Sequence, residues 1–295
     1  MDFFLQLLVN GIVVGSIYAL VALGFVVIYK SSSILNFAQG EFLMLGAYVC
    51  LAIMTTTPVP LWAAFLLTLA FSVTLGLLLE RVVLRPMIGE PVISVIMLTL
   101  GLSSLLRAVV QGIWGTDTRP FPPVFPNEPV HLGPFPVSQG YLWSVGCVAL
   151  LLLAFALFFK YARAGIAMRA TAFSQQVALS MGISVRRIFA LSWSIAAVVS
   201  AVGGVLLGAV RGGVDGSLAV FGLKVVPVVI LGGLDSVLGA IVGGVAIGVL
   251  ENLSGGYLDP FFGGGVKEVA PFVALVLILM VKPYGLFGKV RIERV

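Results

Sequence analysis

The sequence predicts an all-α polytopic membrane protein with eight or nine transmembrane segments. Of its 295 residues, 60% are hydrophobic and only 10% are charged, and the mean hydropathy is +1.16. A soluble chain usually carries about 25% charged residues, because these residues cover its surface. The 35 glycines also fit a membrane bundle, since small residues let membrane helices approach closely. No soluble domain can be separated, so residues 1–295 are expected to form one transmembrane domain.

Eight apolar runs are candidates for spanning helices, because a hydrocarbon core of about 30 Å requires about 20 helical residues. They cover residues 4–29, 34–54, 61–79, 92–113, 141–159, 188–210, 234–251 and 268–281. A ninth stretch, 218–233, is interrupted by Lys224 and Pro227 and closed by two glycines. It predicts a short, broken or re-entrant element, which is tolerated at membrane depth only where protein shields its backbone. No sequence repeat is evident.

Basic residues near the ends of the apolar runs predict the orientation of the chain. Residues 160–187 lie between two runs and contain five basic residues and no acidic residue, which indicates a cytoplasmic loop. With Lys30, the loop 80–91 and the C-terminal tail on the same side, 12 of the 17 basic residues are cytoplasmic. This arrangement requires 218–233 to cross the membrane and places the N-terminus outside. The proline-rich residues 114–140 then form an external loop.

A short amphipathic helix is predicted inside the basic loop. The sequence AFSQQVALSMG has the required pattern, and Gly182 provides its end. A cytoplasmic helix between two spans offers a surface on which another protein can dock.

The sequence gives no indication of catalysis. The single histidine, His131, lies far along the chain from any plausible nucleophile, and no Cys/His group has the spacing of metal ligands. The segment GFVVIYKS at 24–31 resembles a phosphate-binding loop, but Tyr29 replaces the second glycine and the preceding residues form a span. We therefore expect no catalytic residue, metal site or nucleotide site. The basic residues at span ends account for the net charge of +5, so nucleic-acid binding is not expected.

The sequence NFAQGE places Asn36, Gln39 and Glu41 at the start of the second apolar run. A charge near the bilayer interior costs about 2.5–3.5 kcal/mol or more, so these side chains should be shielded from lipid. They either line a translocation pathway or make helix-end hydrogen bonds and a structural ion pair. On a continuous helix Glu41 points away from the other two, whereas a break at Gly40 would let all three line one path. Arg107, late in the fourth run, is expected to reach the outer interface.

Residues 10–48 resemble the opening of permease subunits of branched-chain amino-acid ABC importers. The specific features are NG-x3-G, YAL-x-ALGF and NFAQGEF at their present spacings. The likeness continues through 169–188, 201–208 and 228–253, and so spans most of the chain. Relatives that move urea, short amides or other amino acids share this framework, so the exact substrate stays open.

The resemblance implies a permease subunit of a bacterial inner membrane that forms half of a pathway for branched-chain or related amino acids. Its expected partners are a second permease, in a heterodimer rather than a homodimer, two cytoplasmic ATPases and a periplasmic substrate-binding protein. The ATPases would use ATP-Mg, whereas this chain would bind no cofactor and would not be an enzyme.

The resemblance also implies that residues 170–187 contain a helix that fits a groove on an ATPase. The candidate coupling residues are Gln175, Gln176, Ala178, Gly182, Arg186 and Arg187. Many ABC importers have an acidic residue in this helix, whereas this sequence has two glutamines nearby. The alternative from another class is a stand-alone ion-coupled secondary transporter or channel for a small polar solute, with Glu41 as its candidate ion site.

Overall fold

A computed structural model describes residues 2–125, 129–132 and 135–288. The tail residues Lys289, Arg291 and Arg294, predicted to be cytoplasmic, lie outside the described residues, as does the side chain of His131. The helices are α1 Asp2–Ser32, α2 Gln39–Thr56, α3 Leu61–Leu79, α4 Val92–Trp114, α5 Gln139–Tyr161, α6 Arg163–Phe173, α7 Gln175–Ser180, α8 Val185–Arg211, α9 Leu218–Gly232, α10 Val237–Phe262 and α11 Val266–Val281.

The strands are short and lie in the segments that connect helices. Strand β1 (Arg119–Pro120) pairs antiparallel with β4 (Gly213–Val214), and β2 (Pro129–Leu132) pairs with β3 (Phe135–Ser138). Within the described part of the chain, seven helices are long and apolar enough to cross a membrane. The prediction of an all-α polytopic membrane protein is confirmed, with α9 and α11 as shorter apolar helices of 15 and 16 residues.

The centre of the bundle consists of α1, α2, α8 and α9, whose side chains are mostly buried. Small residues bring some of these backbones together, as the glycine content indicated. A Cβ atom at Gly15 of α1 would lie 2.6 Å from the carbonyl oxygen of Gly244 of α10. The two helices therefore pack backbone to backbone, which membrane bundles achieve only where side chains are small.

The helices form two repeats of opposite orientation. In the first repeat a long helix, α1, is followed by the six residues 33–38, the shorter α2, the four residues 57–60 and then α3 and α4. In the second, α8 is followed by the six residues 212–217, the shorter α9, the four residues 233–236 and then α10 and α11. This repeat was not predicted from the sequence.

The side-chain contacts of α1 and α8 establish the opposite orientation. A Cβ atom at Gly203 of α8 would meet Val21 of α1, whereas one at Gly24 of α1 would meet Val199 of α8. Residue numbers therefore increase along α1 in the direction in which they decrease along α8, so the two helices are antiparallel. Inverted repeats of this kind are common in transporters.

The two six-residue linkers have the same turn geometry. The residue after each long helix has a positive φ, 58° at Ser33 and 70° at Gly212. Three residues before each short helix, a side-chain oxygen accepts a hydrogen bond from the backbone N–H two residues further along the chain. The N–H of Ala38 donates to Asn36 at 3.0 Å, and the N–H of Ser217 donates to Asp215 at 2.9 Å. The Ser217 hydroxyl also bonds Asp215 and holds the pKa of that carboxyl below its ordinary value. These Asx turns end the linkers and start α2 and α9.

Helix α9 confirms the predicted short element but places the break elsewhere. The helix continues through both Lys224 and Pro227, and the chain is broken before Leu218 instead. Its backbone is shielded by α1, α2, α10 and α11, as a broken element at membrane depth requires. The orientation of the chain relative to the membrane stays a prediction.

The predicted basic loop 160–187 contains two helices. The predicted short helix is confirmed as α7, although Ala172 and Phe173 of that stretch belong to α6, and Gly182 beyond its end has a φ of +80°. Helix α6 was missed, because its alanines and arginines carry little hydrophobic periodicity. It is held against α5 at Gly165, where a Cβ atom would lie 2.6 Å from the carbonyl oxygen of Phe158.

Candidate functional sites: a buried polar centre and a basic surface

The short helices α2 and α9 cross near their first turns with their backbones in contact. A Cβ atom at Gly222 would overlap the backbone of Gly40, and one at Gly40 would overlap the carbonyl oxygen of Ala219. The crossing is possible because neither glycine has a side chain. It brings the starts of the two broken helices together in the middle of the subunit.

Asn36 and Gln39 form one buried hydrogen-bonded unit beside this crossing. The Nδ2 of Asn36 donates to the Oε1 of Gln39 at 3.2 Å, and the Nε2 of Gln39 donates to the Ser200 hydroxyl at 2.6 Å. Asn36 precedes α2, so the expectation of a spanning helix from residue 34 was wrong at this end. The Asx turn breaks the chain before Gln39 rather than at Gly40.

Glu41 makes a separate ion pair with α4. Its Oε1 accepts a hydrogen bond from the Nη2 of Arg107 at 2.7 Å, and Glu41 is fully buried. A buried carboxylate requires a compensating cation, and Arg107 supplies it. The expectation that Arg107 reaches the outer interface stays a prediction. Asn36, Gln39 and Glu41 are all shielded from lipid, and their role in lining a pathway stays a prediction.

A second charged group, which we call the Lys224 cluster, joins α1, α9, α10 and α11. The Nζ of Lys224 lies 2.8 Å from Glu251 and 2.6 Å from Glu268, and the Tyr18 hydroxyl donates to Glu251 at 2.6 Å. Lys224, Glu251 and Tyr18 are buried, whereas 60% of the Glu268 side chain is exposed. Sequence reasoning did not assemble this cluster. The available signal was the presence of opposite charges in different apolar runs, since buried charges require partners.

The basic segment exposes apolar side chains in a stretch whose charged residues are all basic. Phe173 is 92% exposed and Met181 is 76% exposed, and Val177 and Leu179 are exposed between them. Of the candidate coupling residues, Gln176, Gly182, Arg186 and Arg187 are exposed, Gln175 is half-buried and Ala178 is buried. The side chain of Ala178 therefore faces the subunit. Contact of these residues with an ATPase stays a prediction.

Known proteins resemble the chain over almost its whole length. Residues 7–282 match the family described as branched-chain amino acid transport system / permease component. The high-affinity branched-chain amino acid transport system permease protein LivH of Escherichia coli K12 is 33% identical to this chain. The alignment is 308 positions long and covers 99% of this chain and 98% of that protein. BraD of Pseudomonas aeruginosa, described as the same kind of permease protein, is 32% identical with the same coverage.

More distant proteins are also similar. The probable branched-chain amino acid transport permease protein LivH of Methanocaldococcus jannaschii is 27% identical, covering 96% of this chain and 92% of that protein. A solved chain of PsaBC from Streptococcus pneumoniae in complex with Fab has a TM-score of 0.48 and 16% identity, covering 95% of this chain and 91% of that chain.

Proposed function

Because this chain belongs to the family of permease components of branched-chain amino-acid transport systems, we propose that it is the membrane-spanning permease subunit of an ATP-binding-cassette importer. In this proposal it forms half of a translocation pathway for branched-chain or related amino acids in a bacterial inner membrane. A second permease forms the other half, two cytoplasmic ATPases hydrolyse ATP-Mg, and a periplasmic binding protein delivers the substrate. The chain itself binds no cofactor.

The proposed coupling role rests on one observation, the exposed apolar surface of α6, α7 and the turn that follows them. Exposed Phe173, Val177 and Met181 lie in a segment whose charged residues are all basic. An exposed apolar patch with a charged border is typical of a protein-binding surface. Its expected counterpart is an apolar groove with acidic residues at its edge, on each ATPase.

The stand-alone ion-coupled transporter is less well supported. Glu41 was its candidate ion site, but the carboxylate is already neutralised by Arg107 at 2.7 Å. An ion would have to compete with a guanidinium that makes a charge-assisted hydrogen bond.

Purification of the tagged subunit from its own membranes tests the proposal. We expect a second permease and an ATPase to copurify, and proteoliposomes of that complex to take up leucine only with ATP and a loaded binding protein. Uptake by this chain alone, driven by an ion gradient, would contradict the proposal.

Replacing Gly182 by valine should uncouple ATP hydrolysis from uptake. The φ of +80° costs a β-branched residue about 1–3 kcal/mol, although no atom lies within 4 Å of a Cβ there. The strain should therefore change the end of α7 without disturbing the packing of the bundle. We expect the complex to assemble and hydrolyse ATP, with uptake per ATP reduced by about tenfold or more, which corresponds to about 1.4 kcal/mol.

Gly263→Val is the matched control for this variant. Gly263 has a φ of +75° and an equally open environment, but it lies between α10 and α11, away from the basic segment. If both variants lose uptake equally, or if Gly182→Val transports normally, the turn at Gly182 has no specific role in coupling.

A further inference from the structure

Arg107 is a charged side chain with unused hydrogen-bonding capacity in a membrane-spanning helix. It lies seven residues before the end of α4, which is about 10 Å along the helix axis. Its Nη2 is paired with Glu41, but its Nε is buried and has no hydrogen-bond partner among the described residues. Nevertheless, 39% of the side chain is exposed. A bound water or anion is one explanation for an unsatisfied buried donor.

The Lys224 cluster does not have this property. The ammonium of Lys224 lies within 2.8 Å of two carboxylates, and one of these also accepts from Tyr18. Its ammonium is therefore fully paired within the subunit. Arg107, in contrast, has one carboxylate partner, and 39% of its side chain is exposed. Charged groups at membrane depth often mark the route of a substrate.

The exposed face of α4 differs from those of the other peripheral helices in its C-terminal half. Before residue 101 this face exposes Ile93, Met97 and Leu100, whereas beyond it α4 exposes Gly101, Ser104, Ala108 and Gln111, spaced by three or four residues. The Ser104 hydroxyl is satisfied by the helix backbone, but the Gln111 side chain is exposed.

The faces of α3, α5 and α11 instead expose large hydrocarbon side chains. Examples are Phe71 on α3, Leu150 on α5 and Val276 on α11. Those faces suit lipid, whereas an exposed amide beside a partly exposed arginine suits water, because unpaired polar groups are costly in hydrocarbon.

We propose that the exposed face of α4 lines the aqueous part of the translocation pathway and that Arg107 contacts the carboxylate of the passing amino acid. The inference rests on the proposed transport function and adds a specificity-determining residue to it. Glu41 acts as a positioning residue, because its ion pair holds the guanidinium at α4. It also weakens the positive field, so the substrate is recognised without being trapped, as conduction requires.

Thiol labelling of the assembled complex tests the location of this face. In a Cys147→Ala background, in which Cys50 stays buried, Ser104→Cys is compared with Leu150→Cys on α5. The reagent is a membrane-impermeant methanethiosulfonate, applied to both sides in proteoliposomes. We expect Ser104→Cys to react at least about tenfold faster and to be slowed by leucine with the binding protein. Equal slow rates, or cross-linking of Ser104→Cys to the second permease without labelling, would overturn the proposal.

Neutral substitutions test the role of Arg107 through the order of their effects. If the ion pair were only structural, Glu41→Gln would be worse than the double variant Glu41→Gln/Arg107→Gln, because the single variant leaves an unpaired cation. If Arg107 contacts the carboxylate, the double variant should be worse. We expect it to lose about tenfold more leucine uptake than Glu41→Gln and to have a raised KM.

Failures of the two proposals give different results. Absence of a copurifying ATPase contradicts the importer, whereas an assembled, transporting complex with an unreactive Ser104→Cys contradicts only the pathway face. If the double variant fails to assemble, the labelling rates decide on their own, since they use wild-type Arg107 and Glu41.

Discussion

Replacing Lys224 by methionine is expected to prevent the folded subunit from accumulating. The substitution keeps the length of the side chain but removes the ammonium that lies 2.8 Å from Glu251 and 2.6 Å from Glu268. Glu251 is buried and would then be an uncompensated charge with only the Tyr18 hydroxyl as a partner. Breaking a buried ion pair in this way costs about 3–5 kcal/mol, a large fraction of the stability of a typical domain. The yield of monodisperse subunit in detergent and its thermal unfolding midpoint measure the effect.

Two further variants separate loss of the charge balance from loss of packing. Lys224→Met/Glu251→Gln/Glu268→Gln removes both carboxylates with the ammonium and should recover most of the yield. Glu268→Gln alone should be mild, because Glu268 is largely exposed and Glu251 still neutralises Lys224. Normal yield of Lys224→Met, or no recovery in the triple variant, would show that the cluster is not what holds α9 to its neighbours.

Substitution of Gly222 is expected to have the second large effect. Even the Cβ atom of an alanine would overlap the backbone of Gly40, and Gly40 cannot be replaced by a smaller residue to make room. The two broken helices would have to move apart, and the hydrogen bonds of Gln39 to α8 would be strained with them. Overpacking of this kind typically costs about 1–3 kcal/mol for a small increment. We therefore expect Gly222→Ala to lower the unfolding midpoint and Gly222→Leu to abolish the folded subunit.

Gly146 provides the matched control for this crossing. It is a helical glycine of α5 with no atom within 4 Å of a Cβ position. Alanine should be tolerated there, and it should even raise helix propensity by about 1 kcal/mol. If Gly222→Ala and Gly146→Ala unfold at the same temperature, the close crossing of α2 and α9 does not contribute to stability.

Local patterns in the sequence were enough to predict the class of protein, most of the spans and the end of α7. These features depend on local chemistry. A run of about 20 apolar residues predicts a spanning helix wherever it lies, and Gly182 beyond a short amphipathic stretch predicts the left-handed residue that the structure has at +80°. The motifs around NFAQGEF were also sufficient to identify the family, which the full-length similarity to LivH and BraD confirmed.

Which polar residues meet became known from the three-dimensional structure alone. Tyr18 and Glu251 are 233 positions apart, and Glu41 and Arg107 are 66 positions apart, so no local pattern connects them. Helices α1, α2 and α10 are apolar on all sides, and periodicity therefore does not show which face packs against which neighbour. The break before Gln39 and the inverted repeat were hidden for a related reason. Each depends on an Asx turn and on glycine contacts between distant helices, such as Gly40 with Gly222, rather than on hydrophobicity along the chain.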